Sequence, residues 1–107
     1  MSEALELNEA DYEAKVANET KPVLLDFWST SCGPCRLLAP TIAALAQANV
    51  DKAVVMKVNV TENMGLAAKF GISAVPTLVL LKNGQVVERL VGVQKQATLQ
   101  ALIDSNL

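Results

Sequence analysis

The chain contains no histidine, only two cysteines, and few aromatics, at 4% of its 107 residues. The absence of histidine removes the commonest general base, a Cys-His nucleophile pair and any His-containing metal site. No apolar run approaches the ~20 residues that a membrane span needs. Nine basic residues against eleven acidic ones, a net charge of -2, leave no basic footprint for nucleic acid. The start, Met1-Ser2-Glu3-Ala4-Leu5-Glu6, is acidic and has neither a basic n-region nor a long apolar one, so no signal peptide and a cytoplasmic setting are expected. In that compartment a lone cysteine pair rests reduced. There is also no repeat, low-complexity tract or linker. One domain over 1–107 is expected, of a size that forms a core without disulfide or metal staples.

What is present is a strict alternation of strand and helix patterns. Asn8 is placed to cap a first helix carrying Tyr12 and Val16 one turn apart, ended by Lys21-Pro22. Val23 to Trp28 is a near-continuous apolar run, as in a strand covered on both faces. Leu38, Ile42 and Leu45 form a helical stripe after Cys35, with Pro40 expected to kink it. Ala53 to Val60 reads as a second buried strand. Thr61 or Asn63 then caps a short helix that Gly71 closes. Thr77 to Leu81 and Val86 to Val91 flank Asn83-Gly84, a strong hairpin signal. A last helix from about Lys95 buries Leu99, Leu102 and Ile103, and a short strand at Leu5 to Leu7 precedes the rest. Such an order predicts an α/β fold with a central mixed sheet and helices on both faces.

The two cysteines stand in Cys32-Gly33-Pro34-Cys35, where the first buried strand gives way to a helix. A loop this short constrains little unfolded chain, so a bridge here adds little stability and points to redox chemistry. Residues i and i+3 of a helix share a side, which brings the thiols within bonding reach. Pro34 fits the first helical turn, where its missing N–H costs nothing, and Gly33 leaves room for a bulky partner at Cys32. The unpaired N–H groups and partial positive charge of the helix start stabilise a thiolate, most strongly at Cys32. Cys32 is therefore the expected nucleophile and Cys35 the resolving thiol. Two other readings compete: small buried hydrophobes, and half of a zinc site that only a dimer would complete. Asp26 and Lys57 each interrupt a buried strand with one charge, of opposite sign. They either pair or each reach solvent at a strand end.

Asp26-Phe27-Trp28, Cys32-Gly33-Pro34-Cys35 and Pro40, followed by Phe70-Gly71-Ile72, Val75-Pro76-Thr77 and Asn83-Gly84, resemble the landmarks of the thioredoxin family over essentially the whole chain. The resemblance implies a thioredoxin fold of about five strands and four helices, and reduction of protein disulfides by dithiol–disulfide exchange. It implies no bound cofactor, because the electrons sit on the Cys32–Cys35 sulfurs. They would be supplied by a thioredoxin reductase, NADPH-flavin or ferredoxin-linked. Disulfide-containing proteins would be the substrates and the chain a monomer, with neither nucleic acid nor membrane as a partner. It also implies a buried Asp26–Lys57 pair assisting proton transfer from Cys35, with burial raising the Asp26 pKa and Lys57 opposing. Pro76 would be cis and lie against the cysteines, Val75 would offer backbone to an extended substrate, Gly92 would line the same docking surface, and Trp28 would shield the reactive sulfur.

Four positions depart from the family pattern. Ser31 replaces the usual tryptophan before Cys32, Thr61 stands where an acidic residue commonly accepts a bond from the tryptophan, and Ser73-Ala74 replace a basic residue and glycine. These bear on docking and potential rather than on reaction class. A binding or scaffold module on the same fold and a disulfide donor are the competing functions.

Overall fold

The computed structural model describes residues 4–107, so Met1, Ser2 and Glu3 of the acidic start lie outside the described residues. Five strands form one mixed sheet in the order β1-β3-β2-β4-β5. β1 (Leu5–Glu6), β3 (Val54–Asn59) and β2 (Val23–Trp28) run parallel; β4 (Thr77–Lys82) is antiparallel to β2, and β5 (Gln85–Val91) is antiparallel to β4. The helices are α1 (Gly33–Ala48), α2 (Met64–Lys69) and α3 (Gln96–Asp104). The expected α/β architecture is present.

Successive side chains of a strand point to opposite faces, so the central strand β2 feeds two cores. Leu25 and Phe27 pack on one side with Leu7, Tyr12, Val16, Met56, Val58, Phe70 and Val79. Phe70 meets both Phe27 and Tyr12 in tilted ring pairs, with centroids 5.6 Å and 5.9 Å apart. Leu24 joins the other side, where α1 supplies Leu38, Ile42 and Leu45 and α3 supplies Leu99 and Ile103. Asp26 has the parity of Leu24, which puts its carboxyl in the α1 layer. The hairpin turn has Asn83 at φ 53° and Gly84 at φ 77°, the left-handed pair that matches strand twist. Gly71, at φ 64°, closes α2 as expected.

Two local expectations are corrected. The segment after Asn8 is a 3₁₀ turn (Glu9–Asp11) followed by a π turn (Glu13–Ala17) instead of an α-helix. The Asn8 side chain makes no cap bond; its Oδ1 accepts from Asn63 Nδ2 at 3.5 Å. The irregular turns still deliver Tyr12 and Val16 to the core. Neither Thr61 nor Asn63 caps α2 with its side chain. Glu9 does so from 57 residues away, its Oε1 accepting from Leu66 N at 2.9 Å. Asn63 Oδ1 in return accepts from Glu9 N at 2.9 Å. A charged acceptor at a helix start meets both the free N–H groups and the helix dipole, which favours the carboxylate over the amide.

Candidate functional site

The apolar run of β2 delivers the chain to the carboxyl end of the sheet, and α1 begins there. Cys32 is the residue before the helix, and Pro34 lies in its first turn, where no N–H is needed. One helical turn brings the Cys32 and Cys35 Cα atoms to 5.2 Å, and the two sulfurs are bonded in a disulfide. Cys35 N donates to Cys32 Sγ at 3.0 Å, so a free N–H of the helix start is spent on the outer sulfur. Burial divides the pair as expected: Cys32 is 9% exposed and Cys35 is 4% exposed.

The outer sulfur faces a loop. Cys32 Sγ lies 3.7 Å from the Val75 carbonyl oxygen, and the Val75–Pro76 peptide is cis. Thr77 Oγ1 donates to Ala74 O at 2.7 Å, pinning this loop from within. Gly92 N donates to Pro76 O at 2.9 Å, and Gly92 adopts φ 95°, which a side chain would strain. Cys32, Val75, Pro76 and Gly92 are thus brought together from three parts of the chain. Ser31 is exposed beside them, and Gly33 is open apart from the tip of Arg36, 3.9 Å from where a Cβ would sit.

The inner sulfur faces a cavity of about 300 Å³ lined by Asp26, Trp28, Ser29, Thr30, Cys35, Arg36, Ala39 and Lys57. A second cavity of about 310 Å³, lined by Ala4, Arg36, Ala39, Pro40, Ala43 and Lys57, shares three of those residues and so adjoins the first. Asp26 is 2% exposed, and its Oδ1 has no hydrogen-bond partner among the described residues. Burial pushes its carboxyl up to about 7, with Lys57 opposing and Glu6 adding to the rise. The expected direction and opposing role of Lys57 are both present.

The contacts around Lys57 differ from a buried pair. Lys57 stands opposite Asp26 in the β2–β3 register, yet its Nζ lies 3.6 Å from Glu6 Oε2 and 4.8 Å from the Trp28 ring centroid. Burying the ammonium beside Asp26 would strip its water, whereas the half-exposed Glu6 and the aromatic face hold it at the surface. The Thr61 hydroxyl is likewise not the acceptor for the tryptophan. Trp28 Nε1 donates to Glu6 Oε1 at 3.4 Å, while Thr61 is exposed and its backbone N–H bonds Asn59 Oδ1 at 3.0 Å. Glu6 and Arg36 escaped the sequence reading. Arg36 donates to Thr30 O at 3.1 Å and lines both cavities, and no motif spacing marks it.

Among the described residues no cluster of Cys, Asp and Glu could hold a metal ion, and no helix is long and apolar enough to cross a membrane. Two sulfurs bonded across one helical turn, the outer one reachable and the inner one more deeply buried, can open and close by thiol–disulfide exchange, the chemistry of a thiol–disulfide oxidoreductase. The sequence profile of the thioredoxin family matches residues 3–105. The chain is 43% identical to thioredoxin of Haemophilus influenzae and 40% identical to thioredoxin 1 of Synechococcus elongatus, each alignment covering 100% of both chains. It is 43% identical to thioredoxin of Alicyclobacillus acidocaldarius over 89% of this chain and 90% of that one. The chain belongs to the thioredoxin family, and its activity is reduction of protein disulfides. Membership implies a reductase that recharges it and disulfide-bearing substrates.

Proposed function

We propose that Cys32 attacks and Cys35 resolves. The Cys32 thiolate displaces one sulfur of a substrate disulfide, forming a mixed disulfide and releasing the first substrate thiolate. Cys35 then attacks the Cys32 sulfur, forms the internal bridge and releases the second substrate thiolate. The electron pair that reduces the substrate comes from the two cysteine thiolates, so no bound cofactor is needed. Asp26 takes the Cys35 proton; a carboxyl raised to about 7 is matched to that task near neutral pH. Lys57 tunes Asp26 through space. Trp28 screens the reactive sulfur of Cys32 from water, Gly33 and Pro34 shape the turn, and Val75, Pro76, Gly92 and Ser31 form the face on which an extended substrate lies.

The observation that carries this reading is the division of the disulfide, with Cys32 against the Val75 carbonyl and Cys35 on the Asp26 cavity. Insulin reduction, followed as turbidity, tests it. Cys32→Ser should abolish activity, and Cys35→Ser should leave a mixed disulfide that mass spectrometry detects. Equal activity in Cys32→Ser would reverse the roles, and an inert native protein would leave a binding module.

The working form is a single-domain monomer over residues 1–107, in the cytoplasm, recharged by an NADPH-flavin or ferredoxin-linked reductase. Ser31 gives that reductase a smaller and more polar platform than a tryptophan would. Coupled NADPH oxidation should therefore quicken in Ser31→Trp, and unchanged or slower coupling would remove position 31 from the docking face.

A further inference from the structure

Three charged residues lie in one row across three adjacent strands: Glu6 on β1, Lys57 on β3 and Asp26 on β2, with Lys57 in direct register with both. The ammonium has two carboxyls to choose from. It sits 3.6 Å from Glu6 Oε2 and over the Trp28 ring, whose N–H bonds the other Glu6 oxygen at 3.4 Å. The inner carboxyl keeps an unpartnered Oδ1. Both choices follow from solvation: the Glu6 side chain is 46% exposed and that of Lys57 26%, whereas Asp26 is buried, so pairing with Glu6 keeps the ammonium partly in water.

We propose that Glu6 is a positioning residue for the exchange reaction: its carboxylate holds the Lys57 ammonium and the Trp28 indole together at the rim of the Cys35 cavity and keeps the cation from closing onto Asp26. This rests on Asp26 being the proton acceptor for Cys35. With Glu6 uncharged, Asp26 is the remaining carboxyl in the row and the flexible lysine turns inward. A cation at hydrogen-bond distance would make Asp26 a poorer base. The other charged or titratable groups facing Asp26 are Arg36 and Cys35 of α1; β4 places Leu78 opposite, and α3 contributes no titratable side chain to the cavity.

The test uses the oxidised full chain, in which neither sulfur titrates, and follows the Asp26 carboxyl by carbon NMR from pH 4 to 10. Glu6→Gln keeps an oxygen for Trp28 Nε1 and removes only the charge. Its Asp26 midpoint should fall by about half a pH unit or more, the effect of one charge drawn nearer through a partly wet path. In a Lys57→Met background the same Glu6→Gln change should move the midpoint by less than half as much. An unchanged or raised midpoint in Glu6→Gln, or an undiminished fall without Lys57, overturns the proposal. The Asp26 role is judged separately by the pH–rate profile of Asp26→Asn: a profile identical to that of the native protein sinks the acceptor assignment, whatever the titration says of Glu6.

Discussion

The two faces of β2 are built from alternate residues of one six-residue strand and follow opposite rules. On one face Leu25 and Phe27 are completely buried among aromatic and aliphatic side chains. On the other, Leu24 packs against α1 and α3, but the next position outward is Asp26, unpaired and beside an open cavity. The first face gains stability from every residue. The second gives up a hydrophobic side chain where the layer reaches the disulfide, and places a buried carboxyl there instead.

This contrast is sharpest for Phe27→Ala, which should lose about 3–5 kcal/mol in urea unfolding, from lost burial plus a cavity. Insulin reduction by the fraction still folded should be unaffected. A loss of turnover per folded molecule would mean that the aromatic face also governs the chemistry.

Asp26→Asn should do the reverse. The folded carboxyl holds its proton to about pH 7, whereas the unfolded one releases it near its ordinary value of 3.8. Between those values the folded state binds more protons, so native stability falls as pH rises through the window. The full penalty applies above pH 7. Asn removes it, so the variant should match the native protein near pH 4 and exceed it by about 4 kcal/mol at pH 8, at the cost of slower resolution by Cys35. A stability difference that is flat from pH 4 to 9 would show that Asp26 ionises as easily when folded as when unfolded.

The smallest effect is expected at Glu9, which touches neither face of β2. Glu9→Ala should cost about 1 kcal/mol through the lost α2 cap and leave exchange rates alone. A rate change there would show that α2 communicates with the site.

Much of this was legible in the sequence because it is local. The buried run of β2, the Asn83-Gly84 turn and the cysteine spacing each depend on neighbours within a few residues. The cis state of Pro76 and its seat beside Cys32 came only from resemblance, since nothing local fixes either. The Glu6 contacts of Trp28 and Lys57 are not legible in the sequence for a different reason. Glu6 reaches both through the parallel pairing of β1 with β3, a register between segments 51 residues apart that the side chains of a two-residue strand do not encode. The Glu9 cap on α2 is of the same kind.

Because Cys35 lines a cavity that adjoins a second one toward Pro40 and Ala43, while Cys32 lies against the Val75 carbonyl, the bridge has a front and a back. Under the roles proposed for Cys32 and Asp26, cargo and hydrogen ions would use opposite sides of the bridge.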